Sequence, residues 1–178
     1  EIGVGTDAGT EDEFVELYNP TDIAVNLANW ALKKKTASGA ESNLVSKAAF
    51  VGTIAPKSFF LIAHQKYGGA KPADLIYSAN SQNLAYASNT AVIYNANDQA
   101  VDEVGWVEIL KNGSIERRAV QNGACVVATG VGQFLGNACD TDASSDFDTR
   151  SARDPQNRNS LPEPRAQAAV SGFNATYD

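Results

Sequence analysis

Residues 13–32 restrict the fold more than any other stretch of this chain. Phe14, Glu16 and Tyr18 alternate with Val15 and Leu17. This is the two-residue period that sends neighbouring side chains to opposite faces of a sheet. Asn19-Pro20-Thr21-Asp22 breaks the run, because proline presets a turn dihedral and Asn and Asp side chains bond to nearby backbone. Ile23, Val25 and Leu27 resume the alternation, and Trp30 and Leu32 follow. The segment reads as strand, tight turn and strand, with no evident catalytic apparatus.

The same grammar continues downstream. Short strands are expected at 2–4, 13–18, 24–27, 30–34, 59–63, 75–77, 91–94, 101–106 and 125–128, with turns at Gly68-Gly69, Asn95-Ala96-Asn97-Asp98 and Asn112-Gly113. Many short strands punctuated by turn residues argue for an all-β sandwich. Residues 91–104 form a hairpin pattern around the Asn95 turn. A long amphipathic helical period is absent, and residues 42–49 and 114–120 are expected to hold a short helical turn each. Trp30 and Trp106 sit on strand patterns and belong in the core, the commoner fate of a strand tryptophan than ligand stacking.

The motif Glu-Phe-Val-Glu-Leu-Tyr-Asn-Pro-Thr-Asp over residues 13–22, with Val25-Asn26-Leu27 and Trp30, resembles the lamin-tail domain, an immunoglobulin-like β-sandwich. Four further segments are similar in the same order. They are Phe59-Phe60-Leu61-Ile62-Ala63 after a proline turn, Val101-Asp102-Glu103-Val104-Gly105-Trp106, Gly113-Ser114-Ile115-Glu116-Arg117-Arg118, and an ending that runs from Gly136-Asn137-Ala138-Cys139 to Asp154-Pro155-Gln156-Asn157. That ending is similar to secreted bacterial members. The resemblance spans about residues 1–165, so 1–165 is expected as one sandwich and 166–178 as an extension. It implies an immunoglobulin-like β-sandwich with long loops. It implies much less about the task, because one fold hosts many functions.

A chain of 178 residues can bury a substantial core in one domain. Its net charge of −7 argues against binding nucleic-acid phosphates, which requires a basic face. Lys33-Lys34-Lys35 is read as a solvated loop or strand end. The longest apolar block, residues 58–64, is far shorter than the roughly 20 residues that cross a bilayer. The sequence contains no methionine and starts where the family's first strand is already under way. A removed N-terminal segment, such as a secretory signal, is the expectation. Cys125 and Cys139 are the only cysteines and cannot alone make a four-ligand zinc site. They read as a disulfide, which favours an oxidising compartment, with two unpaired small core residues as the other reading. The protein is therefore expected to be extracellular or at the cell surface.

Catalytic chemistry finds little support. Glu13 and Glu16 have opposite sheet parity, so they are not a same-face carboxylate pair. The single histidine, His64, follows an apolar run and reads as a strand-end structural residue. There is no nucleophile elbow, P-loop, dinucleotide fingerprint or zincin motif. No enzyme activity and no resident cofactor are expected. One stretch has metal-like spacing: Asp140, Asp142, Asp146 and Asp148 bring oxygen ligands to one loop, as calcium requires. It lacks the glycine and glutamate of an EF-hand, and a solvated acidic loop pairing with Arg117, Arg118, Arg150 or Arg153 is the plainer reading. Asn112 and Asn174 head N-glycosylation triplets, which matter only on a glycosylating secretory route.

The tail has its own pattern. Leu161-Pro162-Glu163-Pro164-Arg165 disfavours regular structure, and Ala169, Ser171, Phe173, Ala175 and Tyr177 then fall on alternate positions. A strand beyond a proline linker can return to its own sandwich or add to the edge of a neighbour. If the first strand were clipped, Ile2 and Val4 would flank an open edge to receive it, with Phe173 and Tyr177 as anchors. The leading expectation is a non-catalytic structural subunit of a surface or filament, assembling with copies of itself by strand exchange. The competing class is a binding or adhesion module of a larger secreted protein or hydrolase, with a carbohydrate or envelope ligand. In that case the tail is only a linker.

Overall fold

A computed structural model of the protein describes residues 1–78, 83–128 and 135–160. Fourteen strands follow the alternating segments: β1 (Ile2–Gly3), β2 (Phe14–Tyr18), β3 (Val25–Asn26), β4 (Ala31–Thr36), β5 (Glu41–Val45), β6 (Thr53–Ile54), β7 (Phe59–His64), β8 (Leu75–Tyr77), β9 (Ala87–Tyr94), β10 (Ala100–Glu108), β11 (Ser114–Arg117), β12 (Ala119–Gln121), β13 (Ala124–Val126) and β14 (Phe147–Arg150). A 3-10 turn over Ser144–Asp146 leads into β14. Six strands form one sheet in the order β14-β11-β1-β2-β7-β8, and four form the other in the order β10-β9-β4-β5. β3 with β6, and β12 with β13, make two small pairs. Among the described residues every strand pairing is antiparallel except that of β7 with β8.

Register explains the core. Ile2 stands opposite Val15 on one side and Ile115 on the other, and Val15 stands opposite Ile62. These four side chains therefore share one face. They pack with Leu32, Ile93 and Trp106 of the second sheet in one apolar cluster. Trp106 Nε1 donates to the Ala85 carbonyl at 2.9 Å, so the indole is buried without stranding its N–H. The other face of the six-stranded sheet is also covered. Phe14, Leu61 and Ala63 form a smaller cluster there with Tyr67 and Ala73. Every residue of β7 is buried, which is why its sequence reads as a continuous apolar run and not as an alternation.

The turn after β2 is held by one side chain. Asn19 Nδ2 donates to the carbonyls of Ile23 at 2.7 Å, Ala55 at 3.1 Å and Ile54 at 3.3 Å. Its Oδ1 accepts from the Thr21 N–H and hydroxyl. Asn19 thus clasps the 19–23 turn to the end of β6, and its own polar atoms are satisfied although it is buried.

Three sequence expectations need correction. β1 is not an open edge: it pairs with β2 and β11 at once, and Ile2 and Val4 are only 3% and 1% exposed. The helical turn expected at 42–49 gives way to β5 and then a single turn in which the Ala49 and Phe50 N–H groups both reach the Ser46 carbonyl. The one expected at 114–120 is instead β11 and β12, because both find partners in the sheets.

The expected disulfide is present: Cys125 on β13 is bonded to Cys139, with a sequence separation of 14 and a Cα–Cα distance of 5.4 Å. Closing a loop of that length stabilises by about 3 kcal/mol in the chain-entropy model. Replacing both cysteines by serine is expected to lower stability to urea by about 3 kcal/mol and to steepen the slope, because the unfolded chain is no longer cross-linked. An unchanged midpoint would show that the loop is held by its other contacts.

Candidate functional site

The core is incompletely filled where β10 faces β11 and β14. A cavity of about 340 Å³ lies there between the sheets. Its walls are apolar, with Ile2 and Leu17 from one sheet, Leu32, Ile93 and Val104 from the other, and Phe147 at its edge. That volume is at the lower end of the range of ligand pockets, about 300–1,000 Å³. Tyr18, Asn137 and Arg117 bring polar groups to its rim. Gly136, at φ 75°, lets its loop lie against the Tyr18 phenol, where a Cβ would collide.

Arg117 is the hub of that rim. It follows Ile115 by two residues, so its side chain projects from the same inner face of β11. Nη2 donates to both oxygens of Asp102 on β10, at 2.8 and 2.6 Å. Nη1 donates to Asp140 Oδ1 and to the Cys139 carbonyl, each at 2.9 Å. The guanidinium also lies 4.6 Å above the Phe147 ring. A planar fork with several donors suits this task, which a lysine would not perform. It links the two sheets and the disulfide loop at one point.

Beside this rim runs a free edge. β10 is nine residues long and pairs only with β9, so its other side is unpaired among the described residues. Val101 is 52% and Val107 85% exposed along it. Such a strand presents unpaired N–H and C=O groups to another chain.

Buried carboxylates occupy two other places. Glu13 accepts from the Tyr77 hydroxyl at 2.6 Å and the Leu84 N–H at 3.0 Å. Burial pushes its pKa up to about 7 despite these donors. His64 packs edge-to-face on Tyr77 with centroids 5.4 Å apart, and its Nδ1 accepts from the Lys66 N–H, so the ring is built into the end of β7 as expected of a structural residue. On the outer face of the large sheet, Glu1, Glu16 and Glu116 lie close together. Glu1 accepts from Ser114 and from the Asp154 N–H, Glu16 accepts from the Gln156 N–H, and Glu116 pairs with Arg150. Burial, reinforced by the Glu1 and Glu116 charges, raises Glu16 to about 7. Burial also raises Glu116. These carboxylates hold the 154–156 backbone onto the sheet. Glu13 and Glu16 sit on opposite faces, as their parity requires.

Three of the four aspartates of the acidic loop point to separate partners. Asp140 pairs with Arg117 and Asp148 with Arg118, whereas Arg150 and Arg153 are taken by Glu116 and Asp12. Asp146 accepts from the Thr141 N–H and hydroxyl, each at 2.6 Å, and from the Ala143 N–H at 3.2 Å, which lowers its pKa. Asp142 stands exposed at φ 57°. Among the described residues, the one group of three metal-ligand side chains within 4.8 Å of each other is Cys125, Cys139 and Asp146. There both sulfurs are spent in the disulfide. Calcium bound by Asp140, Asp142, Asp146 and Asp148 would have to pull two of them from arginine.

Asn112 takes φ 64° in the turn before β11, and its amide exchanges two 2.9 Å hydrogen bonds with Asp7. A glycan on that nitrogen would have to displace one of these bonds. Asn174, Phe173 and Tyr177 lie outside the described residues. The lysine run forms part of β4, where Lys33 meets Glu41, Lys35 meets Glu103, and Lys34 donates to the Asn83 carbonyl. Sequence reasoning missed Arg117 and the β10 edge as features of one site. The sequence put Arg117 within the helical turn expected at 114–120 and beside the acidic loop, and only the sheet order brings it to Asp102.

Two sheets packed face to face, the Asn19 clasp and the order of the strands define an immunoglobulin-like sandwich. The chain belongs to the lamin tail domain family, whose model matches residues 2–108. No curated protein matches the chain closely enough to count as a relative.

The buried glutamates set a pH dependence. Folding binds the Glu13 proton more tightly than the unfolded chain does, so its stabilising effect is complete below the ordinary carboxyl range and is lost as pH rises through about 7. Chemical unfolding over a pH series should show stability falling by roughly 3 kcal/mol from this group alone, and Glu13→Gln should remove that share of the slope. Equal slopes in both proteins would mean that Glu13 ionises normally. For the acidic loop, melting midpoints with calcium and with chelator are expected to coincide. A rise of several degrees with calcium would show that the arginine pairs yield to the ion.

Proposed function

We infer from its membership of the lamin tail domain family that this chain is a binding or structural module and not an enzyme. We propose that this protein is a non-catalytic structural subunit working outside the cytoplasm, and that it joins copies of itself by β-strand exchange with residues 166–178 as the donated strand. The observation that carries this reading is the nine-residue β10, unpaired on its outer side among the described residues and carrying the exposed Val101 and Val107. Strand addition supplies backbone hydrogen bonds along the edge and side-chain anchors at every second residue. The alternation through Ala169, Ser171, Phe173, Ala175 and Tyr177 fits the donor's part. With β1 enclosed, β10 replaces the N-terminal strand as the acceptor.

The extracellular setting is supported by the disulfide, which persists in oxidising compartments. No helix among the described residues is long and apolar enough to cross a membrane, which is compatible with that setting. A carbohydrate-binding role is less well served. The large apolar side chains most exposed among the described residues, such as Ile23, Val51, Ile76 and Val107, are aliphatic, whereas sugar rings stack on flat aromatic surfaces.

Removing residues 166–178 tests the reading, because the described core lies wholly before them. The truncated chain is expected to fold with an unchanged circular dichroism spectrum and to remain monomeric in sedimentation, while the full chain forms polymers visible by electron microscopy. Polymers that persist after truncation would exclude the tail as donor, and a full chain that stays monomeric would exclude self-assembly.

A further inference from the structure

The described core leaves about 340 Å³ unfilled beside β10, although protein interiors hold few voids larger than a water molecule. We propose that the chain's own tail fills this cavity in the free subunit, with Phe173 seated among Leu17, Ile93 and Val104 while the backbone around it pairs with β10, so that each subunit stays capped until a neighbour exchanges tails with it. This rests on the strand-exchange reading above, shares its donor and acceptor, and adds what holds the exchange in check. A strand added to β10 extends the four-stranded sheet, so its inward side chains enter the layer that already holds Asp102, Val104 and Trp106. Leu17, Ile93 and Val104 line the cavity in that layer. Phe173 is the central member of the alternating tail face, with Ser171 and Ala175 small on either side and Tyr177 four residues on. One large ring between small neighbours suits a single deep pocket flanked by closely packed strands.

The tail reaches its own socket with chain to spare. Asn157 Nδ2 donates to the Pro72 carbonyl at 2.9 Å, and Arg158 Nε donates to Asp74 at 2.6 Å. Both fix the departing chain at the β7–β8 side of the large sheet. β11, which faces β10 through Arg117 and Asp102, lies four strands away from β8. That is about 19 Å across the sheet and about 10 Å more from one sheet to the other, a path of about 29 Å. The stretch from Ser160 to Phe173 spans about 43–47 Å when fully extended. A tethered strand meets its own socket at an effective concentration on the order of millimolar, whereas a neighbour's socket is present only at the concentration of the protein. Capping also escapes the loss of translational and rotational freedom that joining two molecules costs. An exchanged tail makes the same contacts as a returned one, as in domain swapping, so exchange overtakes capping only where subunits are crowded to a comparable concentration. Subunits therefore stay separate when dilute and join where they accumulate.

The test uses full-length chains that carry both Val104→Cys and Phe173→Cys, oxidised mildly at about 1 μM, well below the effective concentration of the tether. The expected product is a single chain with a new internal disulfide, told apart from the Cys125–Cys139 bond by peptide mass. Val51→Cys in place of Val104→Cys is expected to give at least tenfold less. Should Val104→Cys fail to fold, Val101→Cys at the mouth of the same cavity takes its place. A yield no greater than the Val51→Cys control overturns the socket. Bonds that form only between chains overturn the cap and leave strand exchange standing. Phe173→Ala supplies a second readout: it is expected to lower the urea midpoint of the dilute monomer by reopening the cavity, and an unchanged midpoint overturns Phe173 as its filler. Concentrated samples separate the two readings. An internal bond in chains that never polymerise when concentrated sustains the cap and removes the exchange.

Discussion

The large sheet has to be buried on both faces, and much of the molecule follows from that constraint. Its inner face meets the second sheet in the usual way of a sandwich, through Ile2, Val15, Ile62 and Ile115. Its outer face carries Phe14, Leu61 and Ala63, which need their own cover. The cover is mostly irregular chain, whose backbone groups must be satisfied without a ladder. Buried carboxylates provide the acceptors: Glu1 and Glu16 take N–H groups of Asp154 and Gln156, and Asp12 takes Gly68. Arg153 then lies over Phe14 and Tyr67 while pairing with Asp12, its aliphatic stem and flat head covering rings that no strand covers. The raised carboxyl pKa values are a by-product of this arrangement. Glutamates that serve as backbone acceptors in a dry layer pay the desolvation of their charge.

The opposite flank of the sandwich is held differently. There the sheets meet around an incomplete core, and the closing contact is Arg117 reaching from β11 to Asp102 on β10 and to Asp140 beside the disulfide loop. A charged hub can hold two sheets together without filling the space between them. The same flank carries the longest unpaired edge among the described residues. Apolar space and free backbone groups in one place complement what an incoming strand offers, which ties the incomplete packing to the proposed assembly. The flank near β8, held by hydrogen bonds to the 154–158 chain, and the open flank near β10 thus differ within one domain.

The strand pattern was legible wherever one face of a strand met solvent, as at Ala100–Glu108, and wherever Asn or Pro punctuated it. The family resemblance rested on these segments, and the family match begins at residue 2 and ends at residue 108. The disulfide was legible because two cysteines had only each other. What escaped were relations between distant segments. Nothing in Ile2–Gly3 announces that it will be flanked on both sides, because the partner β11 lies more than a hundred residues away in the chain. The expected helical turns at 42–49 and 114–120 failed because tertiary pairing overrode local propensity. The acidic loop read as one cluster, yet the fold turned Asp140 and Asp148 toward Arg117 and Arg118. Spacing along a loop says which groups are near, not which way they face.

The enclosed first strand also bears on how the chain reaches its native state. A sheet with residue 2 in its interior stays in two pieces until Ser114 and Ile115 have left the ribosome. Contacts of such long sequence separation make folding slow, since loop entropy is spent before the pairing returns it. The nascent chain therefore remains open until β11 has emerged, a condition in which it is easily threaded elsewhere and easily lost to aggregation, and in which timing matters as much as stability.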